Sequence, residues 1–366
     1  LTISICDERP QRGAERAKLW RKGNTGARAG ARHKSAWTAP GNGAKLPAEK
    51  QDNRRALLNT LLLSHRSALG HDMGPGHPER PDRVRVIERI LEHEKFHALI
   101  RDQAPIGTKE AVLRVHPAAY FQAIEDTAPK EGMARLDSDT AMCPGTLEAV
   151  MRAIGGATMA VDEVMTRKVD NAFLAMRPPG HHAERATPMG FCFFNTAAVA
   201  ARHAQAVHGA ERVVIMDWDV HHGNGTQDIF WNDPSVMYCS THEMPLYPGT
   251  GAASERGEHN NIVNAPLTAG DDGSVFREAM EVAVLPRIEA FRPDLVIISA
   301  GFDAHKRDPL GNINLVEADY AWATRKLMEA ADRNCGGRVV SLLEGGYDLE
   351  GLARSTAAHV LALMGA

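Results

Sequence analysis

The sequence predicts an α/β protein: one domain on a mainly parallel β-sheet with helices on both faces. Two observations carry that prediction. Four short apolar runs of strand length, AFLAM (172–176), RVVIM (212–216), DLVIISAGF (294–302) and RVVSLL (338–343), each break off into polar or glycine-rich residues. Between them lie helical patterns, NTAAVAARHAQAVHG (195–209) and FREAMEVAVLPRIEAF (276–291). Apolar strands alternating with helices indicate right-handed βαβ units, whose parallel sheet is covered on both sides.

Composition agrees. The 366 residues are 43% hydrophobic and 24% charged, as in an ordinary globular chain, which excludes collagen-like, coiled-coil and disulfide-scaffold classes. No apolar run is long enough to cross a bilayer. The five cysteines, Cys6, Cys143, Cys192, Cys239 and Cys335, are odd in number and form no CxxC pair, so a reducing cytoplasm is expected. Residues 1–55 form a separate basic segment, with 13 Lys/Arg against 5 Asp/Glu and no sustained periodicity. That composition predicts disorder and a solvated tail, with a nucleic-acid-binding arm as the lesser alternative. A transit peptide fits poorly, because the segment holds Asp7, Glu8 and Glu15.

The folded domain is expected over 56–366. LLNTLLLSH (57–65) reads as its first buried strand. Helical spacing recurs over 84–100 and over 146–167, the latter with small residues where another element can approach closely. No internal repeat interrupts the remainder.

In open parallel sheets, sites lie beyond the carboxyl ends of the strands, so the four polar endings should converge on one rim. After RVVIM comes Asp217-Trp-Asp219-Val-His221-His222. If the chain stays extended, its period of two places Asp217, Asp219 and His221 on one face. Carboxylate and imidazole both suit a divalent metal, and Asp303 at a neighbouring strand end completes three ligands with an open position, the pattern of catalytic zinc. HExxH and GxSxG are absent, and the order Asp-x-Asp-x-His argues for one metal instead of two. The pair His181-His182 follows the rigid Pro178-Pro179-Gly180 and offers a base and an acid near neutrality. Tyr347 in Glu344-Gly345-Gly346-Tyr347 can donate to a developing oxyanion.

RPPGHH, GFCFFN, DWDVHHGNGTQ, GFDAH and EGGYD, with HDMGPGHPERPDR (71–83), resemble the histone deacetylase superfamily. That superfamily also includes acetylpolyamine amidohydrolases and acetoin-utilisation-type proteins. The resemblance spans about 61–364 and implies the arginase/deacetylase-like fold, with one Zn2+ at the bottom of a narrow tunnel. It implies Asp219, His221 and Asp303 as ligands, His182 as general base and His181 as a second, electrostatic histidine. Tyr347 matches the transition-state tyrosine. Asp217 matches the carboxylate that orients His181 and, with Ser240 nearby, holds a structural K+ or Na+. The partner of His182 falls on Asn224, where many members carry Asp; an amide lacks that negative charge. Gly190, Phe191 and Tyr247 match tunnel walls, Leu310 the tunnel mouth, and Arg83 an arginine near an interior channel.

The expected activity is removal of acetyl groups from acetyl-lysine in proteins or peptides. Acetylpolyamines or another small amide are the alternative substrates, and a catalytically silent binder of acylated partners is the rival from another class. No membrane partner is expected, and homo-oligomerisation stays open.

Overall fold

The structure, a computed structural model, describes residues 57–366. The segment 1–55, for which the sequence predicts disorder, lies outside the described residues. In chain order the strands are β1 (Thr60–Ser64), β2 (Ile100–Gln103), β3 (Ala134–Arg135), β4 (Ala141–Met142), β5 (Asn171–Leu174), β6 (Val213–Asp217), β7 (Val236–Ser240), β8 (Ile262–Asn264), β9 (Leu295–Ala300) and β10 (Val339–Leu343). β3 and β4 pair with each other, antiparallel. The other eight form one sheet in the order β2-β1-β5-β10-β9-β6-β7-β8, and every pairing in it is parallel. The four strands read from the sequence are thus the adjacent central four, and their carboxyl ends share one rim.

The central strands β5, β6, β9 and β10 are mainly apolar because both faces are covered. On β5, Ala172 and Leu174 join one core while Phe173 joins the other. On β9, Leu295 and Ile297 alternate in the same way with Val296 and Ile298. The first core is closed by α2 (Lys109–Leu113), α3 (Ala118–Thr127), α4 (Thr146–Met165) and α5 (Thr196–His208). On the second face lie α1 (Asp82–Leu91), α7 (Gly273–Ala279), α8 (Leu285–Phe291), α9 (Glu317–Cys335) and α10 (Leu349–Leu363), while the short α6 (Asn224–Phe230) follows β6. Caps set the helix ends. Asn195 accepts from Ala198 N at 2.9 Å to start α5, which stops at Gly209 in the left-handed region. Among the described residues no helix is long and apolar enough to cross a membrane.

Two helical readings need correction. The pattern over 84–100 is helical only to Leu91; a 3-10 turn at Glu94–Phe96 follows, and Ile100 begins β2. His93 starts that turn by accepting from Lys95 N, so the chain leaves the helix while Phe96 and Leu99 stay buried. The pattern over 276–291 is broken by a π-helical turn, Met280–Val284, ahead of Pro286, which has no N–H for a continuing ladder.

The small residues of 146–167 behave as read. A Cβ on Gly155 would stand 2.1 Å from Pro105 O and 2.5 Å from Gly107 N, so α4 lies directly on main chain there. Backbone cannot give way as a flexible side chain can. Gly155→Ala should therefore cost about 1–3 kcal/mol, the usual range for overpacking, read as a lower urea midpoint at unchanged m-value. An unshifted midpoint would show that the loop at 105–107 yields freely.

Candidate active site

Each central strand delivers chemistry in the loop beyond its end. The loop after β5 carries His181, His182, Gly190 and Phe191; that after β6 carries Asp219 and His221; that after β9 carries Asp303; that after β10 carries Tyr347. Asp217 is the last residue of β6, paired in register with Ser240 at the end of β7.

The spacing of Asp217, Asp219 and His221 does not act through a continued strand, since β6 stops at Asp217. Each aspartate instead accepts the backbone N–H two residues on, Asp219 N to Asp217 Oδ1 at 3.1 Å and His221 N to Asp219 Oδ1 at 3.0 Å. Successive side-chain turns of this kind bend the chain and separate the two carboxylates. Asp217 turns to His181, 3.0 Å from its Nδ1, and also accepts from the Tyr238 hydroxyl. Asp219 turns to Asp303 and His221.

Those three offer one donor atom each within 4.8 Å of one another. His221 Nδ1 lies 3.1 Å from both Asp219 Oδ1 and Asp303 Oδ2. The remaining carboxylate oxygens are occupied by main chain: Gly345 N donates to Asp219 Oδ2 at 2.8 Å and Val220 N to Asp303 Oδ1 at 2.7 Å. Burial, and then the charge of Asp219, push the Asp303 pKa up. Two carboxylates forced together away from water and one imidazole nitrogen aimed between them make a donor set that a divalent cation relieves. The residues present therefore fit a zinc-type ion.

The paired histidines differ in electrostatics. Burial works against charge on His181, but Asp219 and Asp217 outweigh it and hold its pKa well above that of a free imidazole. Burial, together with His181 and His221, drives the His182 pKa well below the usual value. His182 Nδ1 lies 2.8 Å from Asn224 Oδ1. Gly190 packs flat on the His182 ring: its φ is +55°, and a Cβ there would stand 2.4 Å from His182 Cδ2. Only glycine takes that backbone at that distance.

Burial raises the Tyr347 phenol well above its ordinary pKa, against the pull of Arg83, so it is a proton donor at neutrality. The Arg83 guanidinium lies 4.8 Å from the Tyr347 ring centroid. It also donates to Gly346 O at 2.6 Å and to Glu344 O, while Glu79 accepts from Arg83 and Arg177. The arginine thus braces the turn that presents Tyr347.

A cavity of about 280 Å³ opens over His182, His221 and Tyr347. Gly190, Phe191, Tyr247 and Leu310, the positions that the resemblance names, line it. Asp217, Asn224, Asp219 and Asp303 are not on its wall; they stand behind the histidines and beneath the floor. Asp139 and Leu246 also line it and were not read from the sequence. Nor was Asp308, whose buried carboxylate accepts from Tyr347 N at 2.6 Å, Asp348 N at 3.1 Å and Leu310 N at 3.0 Å.

Comparison with known proteins gives the family. The histone deacetylase domain family matches residues 77–363. A protein of Archaeoglobus fulgidus named as a probable deacetylase is 37% identical, over 83% of this chain and 86% of its own. The histone deacetylase-like amidohydrolase of Pseudomonas aeruginosa is 39% identical, over 74% of this chain and 73% of its own. The crystal structure of the HDA15 HD domain superposes with a TM-score of 0.80 at 38% identity, covering 84% of this chain and 88% of that one. On these matches the chain belongs to the histone deacetylase family.

Proposed function

We propose that the protein is a zinc-dependent amidohydrolase that removes acetyl groups from N-acetylated amines, foremost acetyl-lysine in proteins or peptides. The observation that carries the reading is the meeting of the Asp219–His221–Asp303 donor set with His182 and Tyr347 around one cavity. Zinc held by those three residues would supply a Lewis acid toward the acyl carbonyl and would activate water. The chain's own groups supply the rest. His182 is neutral and hydrogen-bonded through Nδ1, so its Nε2 lone pair takes the proton from the attacking water. His181 stays charged against Asp217 and stabilises negative charge beside it. The Tyr347 phenol donates to the oxyanion as the carbonyl becomes tetrahedral. A histidine proton then passes to the departing amine.

Gly190, Phe191 and Tyr247 form an apolar wall for the methylene stem, and Leu310 gives the mouth no charge. Among the described residues, Asp139 is the one carboxylate in the lining. Asp217 and Ser240, buried side by side, are the proposed place of a structural K+ or Na+. The four described cysteines are free and buried, in keeping with a reducing, cytoplasmic setting.

The ligand assignment is checked by metal analysis. Asp219→Ala and Asp303→Ala should each lose bound zinc and hydrolysis of an acetyl-lysine peptide. Full activity in Asp303→Ala, or two metals at this rim, would overturn it.

Tyr347→Phe should keep zinc and fold but lower kcat by about 10²- to 10³-fold, the range for one oxyanion donor. A raised KM at unchanged kcat would make Tyr347 a binding residue instead.

Substrate class is tested at the mouth. Acetyl-lysine peptides should exceed acetylspermidine in kcat/KM, and Leu310→Glu should move the ratio toward the polyamine. A carboxylate about 4 Å from an ammonium gains roughly 1 to 4 kcal/mol, enough to reorder the two. A preference for acetylspermidine in the unsubstituted chain would replace the lysine reading with the polyamine one and leave the zinc chemistry standing.

A further inference from the structure

The hydrogen bonds behind His182 do not end at Asn224. Asn224, the first residue of α6, is buried, and its two amide heteroatoms face different partners. Oδ1 lies 2.8 Å from His182 Nδ1, and Nδ2 lies 2.9 Å from Glu184 Oε1 and 3.3 Å from Met189 Sδ. Glu184 is two residues past His182 in the same loop, where its backbone N–H closes a turn on Thr187 O at 3.0 Å. α6 is registered against this loop by Thr226 N, which donates to His181 O at 3.2 Å.

The two ends of an amide look alike, so their partners decide which way it faces. A carboxylate oxygen only accepts, and a thioether sulfur accepts weakly. Both therefore require the NH2 end of Asn224. The carbonyl end is then left to His182, and an acceptor at Nδ1 requires that Nδ1 carry the proton. Turned the other way, Asn224 would set its oxygen against the Glu184 carboxylate and a donor against His182 Nδ1. Nε2 would then be the protonated nitrogen.

We infer that Glu184 is a positioning residue for the base: it fixes the amide of Asn224 and, through that amide, the Nδ1–H tautomer of His182. The inference rests on the reading of His182 as the proton acceptor. It also answers the departure at position 224. The negative charge that an aspartate would place against the imidazole stands one amide further out, on Glu184.

The donor–acceptor polarity can be reversed to test this. Glu184→Gln removes the obligatory acceptor, so the amide loses its fixed direction. Asn224→Asp removes the donor and sets two carboxylates face to face. Each should lower kcat by about 10- to 100-fold, the usual loss for a supporting partner of a site, with zinc content and KM little changed. Combined, the two substitutions restore the order, because the glutamine NH2 donates to the new carboxylate and that carboxylate accepts from His182. The double variant should recover most of the lost kcat. Glu184→Asp, whose carboxylate is shorter by one methylene, should fall between Glu184→Gln and the unsubstituted chain.

The second readout is the His182 tautomer, measured by nitrogen NMR of isotope-labelled imidazole in the zinc-loaded full chain. It should be Nδ1–H in the unsubstituted protein and in the double variant, and mixed in Glu184→Gln. Additive losses in the double variant, or an unchanged tautomer and kcat in Glu184→Gln, would overturn the inference. A chain with no deacetylase activity but with this tautomer pattern would sink the proposed function and leave the Glu184 assignment standing.

Discussion

Two carboxylates held together away from water are the constraint on which the rim is built. Asp219 and Asp303 are fully buried, and neither ion would be tolerated there without donors on every side. The donors come from neighbouring loops. Gly345 N, after β10, reaches Asp219; Val220 N, after β6, reaches Asp303; His221 bridges the two. The loops that deliver the donor set are thus the ones its carboxylates bind together. A parallel sheet makes this possible because it releases four adjacent chains at the same edge, pointing the same way.

The histidine pair follows from the same electrostatics. Asp217, separated from Asp219 by a side-chain turn, carries its charge to His181, and a charged His181 in turn disfavours a second proton on His182, 4.0 Å away between ring centroids. Burial and partners hold the pKa of one imidazole up and that of its neighbour down, the split that the proposed acid–base division uses. The amide behind His182 orients the ring, with the Glu184 carboxylate one group further out.

Much of this was legible in the sequence, for a physical reason. A strand buried on both faces is mainly apolar, so its end is marked where the chain turns to a polar or glycine-rich run, and β5, β6, β9 and β10 are legible that way. β7 and β8 were not marked: VMYCS is fully buried but mixes Tyr, Cys and Ser with its apolar residues, and IVN is only three residues long. The helix over 84–100 was overextended because Phe96 and Leu99 keep helical spacing while packing from a 3-10 turn and a loop. At the site, His182, His221 and Tyr347 were readable from their chemistry, and Gly190, Phe191, Tyr247 and Leu310 only from the family resemblance. Asp308 and Asp139 were not. Asp308 acts by accepting main-chain N–H groups from a distant turn, and nothing in the residue type tells that from a solvated aspartate.

Asp308 also shows how mouth and floor are connected. One of its oxygens takes Leu310 N and the other takes Tyr347 N, so a rim residue and the phenol over the floor hang from one carboxylate. The Leu310 side chain is free of that bond; only its backbone is held. Side chains at the mouth can therefore change while the phenol stays where Arg83 and Asp308 place it. In the proposed reaction, selection of the amine and stabilisation of the oxyanion are separable for that reason: the first depends on what projects from the rim, the second on backbone that the rim residue does not disturb.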